Sequence, residues 1–261
     1  MSDLNARQQL ARQILQLIDL TSLNLNDTPE SMADLCRQAN TPFGAVAALC
    51  VYPTFLRLCQ TQLAKQNSGQ IRLATVVNFP EGSQTIAEVC AATEQALRDG
   101  ADEIDLVFPY HRFLAGDGDY AKQMMQQVRA LCQHKTLKVI LESGMIHEPA
   151  NLRHMSQLSL DQGVNFLKTS TGKVSVNATP EAARIMLECI RDGAYYCGFK
   201  ASGGIRSLDE ALQYYHLAHE ILGETALRPE RLRFGASALL QNLLRELQAQ
   251  PTQFDHQSDA Y

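Results

Sequence analysis

The chain has 261 residues, 45% of them hydrophobic and 20% charged, enough apolar material for a full core and no sign of a disordered or fibrous class. A net charge of −5 argues against an overall pull toward nucleic acid or an anionic membrane, and no apolar run approaches the roughly 18 residues of a membrane span. The N-terminus lacks the apolar run of a signal peptide, and seven cysteines without a C-x-x-C pair suggest neither a disulfide framework nor a zinc site, so the expected compartment is the cytoplasm.

Along the chain one pattern repeats. A leading helix over about residues 8–17 precedes eight short apolar or β-branched runs, each followed by an amphipathic helical stretch. The runs are Ile18–Leu23, Ala45–Tyr52, Ile71–Phe79, Glu103–Phe108, Leu137–Glu142, Val164–Thr169, Tyr196–Ala201 and Arg231–Gly235. Between them, Ile86, Val89, Cys90, Thr93 and Leu97 share one helical face, as do Leu208, Ala211, Leu212, Tyr215 and Leu222. Thr28-Pro29 and Thr179-Pro180 place a capping hydroxyl before a first-turn proline, and Ser207 with Glu210 makes a capping box. Strict alternation implies a parallel sheet, and eight units in about 250 residues predict an α/β fold, a closed (β/α)8 TIM barrel. The alternative is a doubly wound open sheet, but no glycine-rich dinucleotide turn follows the first strand. One catalytic domain over residues 1–261 is expected, with residues 250–261 as a polar, mobile tail.

Barrel enzymes carry their chemistry at the C-terminal ends of strands. The fourth run holds Asp105 between Ile104 and Leu106, the sixth carries Lys168 next to its end, and the seventh carries Lys200 next to its end. Lysine is rarely buried without a partner, so two on adjacent strands call for an explanation. One is a plain buried salt bridge to Asp105. The other is an amine nucleophile. Two ammonium groups about 4 Å apart repel by roughly 4 kcal/mol at an effective dielectric near 20, or about three pKa units. That brings one lysine close to neutrality, and a nearby carboxylate then moves protons during imine chemistry at a carbonyl. Around the same rim, Gly172-Lys173, Gly203-Gly204 and Gly235 with Ser237 offer backbone N–H groups and a helix start to a phosphate.

These segments resemble the deoxyribose-phosphate aldolase family. Phe166–Lys173 is similar to its Schiff-base segment, Gly198–Arg206 to its second-lysine segment, and Asp102–Val107 to its aspartate strand. Asp19–Thr21, Ala48–Pro53, Val77–Pro80 and the chain-terminal tyrosine also fit. The resemblance implies reversible cleavage of 2-deoxy-D-ribose 5-phosphate to D-glyceraldehyde 3-phosphate and acetaldehyde, without metal or other cofactor, in deoxyribonucleoside catabolism. It makes Lys168 the imine-forming amine, Lys200 the perturbing cation, Asp105 a proton-relay partner, and Tyr261 a group folding back to assist proton transfer. Phosphate is then held by Gly172, Lys173, Gly203, Gly204, Gly235 and Ser237. Close relatives often have a second serine where this chain has Ala238, which removes a hydroxyl but leaves a backbone N–H.

Other features have plainer readings beside the functional ones. Asp19 and Thr21 either orient the sugar or support the strand, and Cys50 is either a mouth-facing thiol or small apolar filling. His216 and His219 form no ligand set beyond themselves, and Gly116–Asp119 reads as a turn plus helix cap rather than a calcium loop. The expected partners are a phosphorylated sugar and an aldehyde, with no nucleic acid and no membrane. A homodimer is compatible with the sequence, which leaves the oligomeric state open. The rival functions are another phosphate-binding Schiff-base aldolase or lysine-dependent isomerase, and a non-catalytic ligand-binding descendant of the fold.

Overall fold

A computed structural model describes residues 3–249 of the chain. Its eight barrel strands are β1 (Ile18–Ser22), β2 (Ala48–Val51), β3 (Arg72–Val77), β4 (Glu103–Val107), β5 (Thr136–Ile140), β6 (Phe166–Lys168), β7 (Gly198–Ser202) and β8 (Leu232–Ala236). All pairs are parallel, and β1 hydrogen-bonds to both β2 and β8, so the sheet closes. Closure removes the open-sheet alternative and leaves the barrel itself without an open strand edge.

The helices start where capping chemistry stops the preceding loop. Thr28, Thr179 and Ser207 each accept from the backbone N–H three residues on, opening α2 (Pro29–Gln38), α8 (Pro180–Asp192) and α9 (Leu208–Leu222). Asp117 caps α6 (Gly118–Cys132) in the same way, so the acidic Gly116–Asp119 segment is the turn and cap its spacing suggests. The remaining helices are α1 (Asp3–Leu15), α3 (Leu56–Lys65), α4 (Ile86–Arg98), the short α5 (Tyr110–Leu114), α7 (Pro149–Asp161) and α10 (Ala238–Gln248). Val89, Thr93 and Ala96 face the sheet from α4, and Leu208, Ala211, Tyr215 and Ala218 do so from α9. One large apolar core fills the layer between the strands and these faces. His216 and His219 point to solvent from α9.

Several strands are shorter than expected. The second is confined to Ala48–Val51, because Gly44–Ala45 pairs with Asn40–Thr41 in a separate antiparallel ribbon. The fifth stops at Ile140, and Glu142 then turns the chain with φ +50°. No helix of the described residues is long and apolar enough to cross a membrane. The tail 250–261, with Tyr261, lies outside the described residues.

Candidate active site

Register places the charged side chains side by side inside the barrel. In the pairing of neighbouring strands, Lys168 stands opposite Lys200, and Asp105 opposite Lys138. Side chains paired in this way emerge on the same face, here the interior. All four are buried, Lys168 retaining only 3% exposure.

Asp105 is the hub. Its Oδ2 accepts from Lys168 Nζ at 2.8 Å and from Lys200 Nζ at 2.8 Å, while Oδ1 accepts from Lys138 Nζ at 2.8 Å. Lys200 also donates to Asp19 Oδ2 at 2.5 Å, and Arg233 donates to the other oxygen of Asp19. Asp105 therefore makes the buried salt bridge, and it makes it with both lysines and a third. Burial alone raises a carboxyl's pKa, but three ammonium groups overcome it and hold Asp105 well below the carboxylate range.

The lysines divide. Burial disfavours charge on both. At Lys200 the attraction of Asp105 and Asp19 outweighs it and pushes the ammonium above its ordinary range. At Lys168 burial prevails over Asp105, with repulsion from Lys200 adding to it, and the amine falls below its ordinary value. Lys168 and Asp105 thus shift in ways a simple ion pair does not show. The reason is that Asp105 is shared among three cations, which gives each only part of its charge. Repulsion was expected to be the main force on Lys168. Burial is the larger one.

Above this floor opens a cleft of about 250 Å³. Lys168 is at its base and Thr21, Gly172, Lys173, Gly203, Gly204, Gly235 and Ser237 are on its walls, so the three glycine-bearing loops converge on one mouth. Gly203 has φ +83°, and a Cβ there would lie 2.4 Å from Asn177 Oδ1. A Cβ on Gly235 would lie 2.6 Å from Ser202 Oγ and 3.1 Å from Lys200 Cε, so this glycine lets β8 pass close to the buried lysine. The start of α10 receives no side-chain cap from Ser237, and Ser237 and Ala238 border the cleft. Lys173 Nζ reaches across to the carbonyl of Leu23 at 2.5 Å.

Asp19, Asp105, Lys200 and Cys50 lie beneath this cleft and not on its wall. Asp19 is fully buried, and its oxygens accept from Lys200 and Arg233. Cys50 is fully buried in a small apolar cluster with Leu23, Ala74 and Val76, in keeping with the apolar filling that was one of its two readings. Burial keeps its thiol up in pKa and neutral. Thr21 donates to the carbonyl of Asp19 at 2.8 Å while its side chain borders the cleft.

Sequence reasoning missed Lys138, Glu103, Arg233 and Glu142, all buried. Lys138 and Arg233 were visible as charges flanked by apolar residues, in Leu137-Lys138-Val139 and Leu232-Arg233-Phe234, whereas Glu103 is masked by its neighbour Asp102. Glu142 accepts from the Thr171 hydroxyl at 2.5 Å and from its N–H at 3.2 Å, tying the β5 end to the loop after β6. Burial raises its pKa against those two bonds. Ser202 Oγ, on the cleft wall, has no hydrogen-bond partner among the described residues.

The chain matches the DeoC/LacD family of aldolases over residues 13–244. Among solved structures it is similar to a "putative deoxyribose-phosphate aldolase" from Toxoplasma gondii ME49, with TM-score 0.89, 23% identity and coverage of 96% of this chain and 98% of the other. A "putative deoxyribose-phosphate aldolase" from Coccidioides immitis aligns with TM-score 0.79 and 27% identity, covering 90% and 86%. The tetrameric deoxyribose phosphate aldolase of Aeropyrum pernix aligns with TM-score 0.73 and 22% identity, covering 94% and 97%. The likenesses at 22% and 23% speak for the fold, and the family match over most of the length speaks for the lineage. This chain belongs to the DeoC/LacD family of aldolases.

Proposed function

We propose that the chain is a Schiff-base aldolase that cleaves 2-deoxy-D-ribose 5-phosphate reversibly to D-glyceraldehyde 3-phosphate and acetaldehyde, in deoxyribonucleoside catabolism. The observation that carries this reading is a buried lysine of lowered pKa at the base of a cleft whose mouth is lined by glycine-rich loops and a free helix start. In this reading Lys168 Nζ attacks the aldehyde carbon of the open-chain sugar. Loss of water gives the imine. The C3 hydroxyl then loses its proton, the C2–C3 bond breaks, and its electrons pass into the enamine, releasing glyceraldehyde 3-phosphate. Protonation of the enamine carbon and hydrolysis free acetaldehyde and restore the amine. Asp105, bonded to both lysines, moves the protons with Lys200 as its cationic partner. Tyr261 is assigned the carbon protonation from the family resemblance alone.

The phosphate fits the other end of the cleft. Backbone N–H groups of the loops after β6 and β7 and of the α10 start, with Lys173, provide the donors and the positive field. A non-catalytic role is disfavoured because Lys168, Lys200 and Asp105 are all present and in contact through one carboxylate.

Borohydride reduction in the presence of acetaldehyde, followed by peptide mapping, tests the reading. A stable adduct on Lys168 is expected. An adduct on Lys200, or none, overturns it. Comparing deoxyribose phosphate with ketose and keto-acid phosphates separates the rival aldolases. Gly203→Ala places a methyl against Asn177 in a left-handed backbone, so it is expected to raise KM for deoxyribose 5-phosphate at least about tenfold, the loss of roughly one charge-assisted hydrogen bond. Trapping of acetaldehyde, which has no phosphate, should persist, and equal loss with both compounds would remove the phosphate from this loop.

A further inference from the structure

Below the cleft the buried charges close on themselves. Arg233 Nη1 donates to Asp19 Oδ1 at 2.5 Å, and Arg233 Nη2 donates to Glu103 Oε1 at 3.1 Å. Glu103 Oε2 lies against Lys138 Nζ in an ion contact without hydrogen-bond alignment. Lys138 donates to Asp105 Oδ1 at 2.8 Å, and Lys200 bridges Asp105 Oδ2 at 2.8 Å and Asp19 Oδ2 at 2.5 Å. The circuit runs Asp19, Arg233, Glu103, Lys138, Asp105, Lys200 and back to Asp19. Three carboxylates alternate with three cations, and no side chain in it is more than 6% exposed. Lys138 also lies 3.6 Å from Asp19, a chord across the ring.

Lys168 is the seventh charge. It joins the ring through a single bond to Asp105 Oδ2, an oxygen already taken by Lys200. Among the described residues, the other titratable groups around it offer no replacement. Cys50, from β2, is a buried thiol kept neutral. Glu142, beyond β5, makes no ion pair with Lys168 and spends its hydrogen bonds on Thr171. Lys138 and Lys200, from the strands on either side, are cations committed to the ring.

We propose that Glu103, Arg233 and Lys138 are positioning residues for the Lys168 amine, because they complete a charge-balanced ring with Asp19, Asp105 and Lys200 and so leave a protonated Lys168 with no counter-charge of its own. This rests on the reading of Lys168 as the nucleophile. A proton on Lys168 makes four cations against three carboxylates in a region without water-like screening, whereas the neutral amine leaves three against three. The residues that set this balance do not touch Lys168. They act by deciding how much of Asp105 it can claim, and the lowered pKa of Lys168 agrees with that.

The ring predicts opposite effects from two substitutions remote from the cleft. Glu103→Gln removes a negative charge and is expected to lower the titration midpoint of Lys168 further. Arg233→Met removes a positive charge, leaves the ring able to balance a protonated Lys168, and is expected to raise the midpoint. A unit charge about 10 Å away in an effective dielectric near 20 shifts a pKa by about one unit, and that is the expected size of each change. Arg233→Lys keeps the charge and should return the midpoint to that of the parent.

Competitive acetylation of the full chain with a trace of acetic anhydride, between about pH 7 and 11, reads the Lys168 midpoint by peptide mass mapping, independently of turnover. Thermal melts report folding alongside it. If the ring only braces the barrel, melting temperatures fall while the Lys168 midpoint stays put in both variants, and the proposal is overturned. Shifts of the same sign in both overturn it as well. Should Arg233→Met fail to fold, the downward shift in Glu103→Gln and the parent midpoint in Arg233→Lys carry the test. Absence of an acetaldehyde adduct on Lys168 would instead refute the nucleophile assignment, whatever the midpoints do.

Discussion

Lys168→Leu is expected to abolish turnover and yet raise the melting temperature. Loss of the Lys168 amine at the cleft base removes the proposed covalent route, and removing a nucleophile of this kind costs about 10⁴-fold or more in kcat. Stability should move the other way. Asp105 keeps Lys138 on one oxygen and Lys200 on the other, so no buried charge is orphaned by the change. Replacing a buried charged group with an apolar one of similar size is neutral or stabilising by about 1–4 kcal/mol when partners remain satisfied, and a chain of this size gains about 2–4 °C per kcal/mol. The effect has a pH signature. The folded pKa of Lys168 lies below that of the unfolded chain, so between the two values the unfolded chain binds the extra proton. The wild-type penalty is therefore full below the folded pKa and disappears as pH rises to the ordinary lysine value. The stabilisation by leucine should be greatest below the folded pKa of Lys168 and fade as pH rises toward 10.5. A melting temperature that falls at pH 7 would show that the ammonium contributes to the fold.

Asp105→Asn should cost both activity and stability, while sparing imine formation. The carboxylate is the meeting point of Lys138, Lys168 and Lys200, and its loss leaves buried cations partly unpaired. Breaking such a pair costs about 3–5 kcal/mol, or roughly 10 °C in melting temperature here. The folded pKa of Asp105 is far below its unfolded value, so its contribution is present above the ordinary carboxylate range and is lost as pH falls through the folded value. The variant should accordingly lose most stability at neutral pH and converge with the parent under strong acid. Lys168, released from its share of Asp105, becomes easier to deprotonate, so borohydride should still trap acetaldehyde on it. Turnover should drop by about 10²–10⁴, the scale of a general acid–base group. A loss of trapping equal to the loss of turnover would mean that Asp105 serves to build the site and not to move its protons.

The barrel was legible because its signals are local. Eight strands were placed within a few residues by β-branched runs between capped helices, and Thr28, Thr179, Ser207 and Asp117 announce helix starts through chemistry spanning three residues. The misplaced strand ends have local causes that periodicity does not register. Gly44–Ala45 joins a separate ribbon, and Glu142 takes a left-handed turn. Lys168, Lys200 and Asp105 stood out because a lysine or aspartate in an apolar strand is costly unless it has work or a partner.

Cys50 and Asp19 show the limit. The sequence leaves each with two readings, and only the folded barrel shows both fully buried, Asp19 between Lys200 and Arg233 and Cys50 among apolar side chains. The chain's own order of residues determined the alternation, the barrel class, the two lysines and the aspartate, and the glycine loops, since each is written in neighbours a few positions apart. Only the closed tertiary structure decided which charges meet. The Arg233–Asp19 bond joins residues 214 positions apart, and Lys200–Asp19 spans 181, because β1 closes against β8. No periodicity records a pairing at that separation. The electrostatics of the site follow from it, since a buried charge takes its energy from the partners the fold brings within a few ångströms and not from its neighbours in sequence.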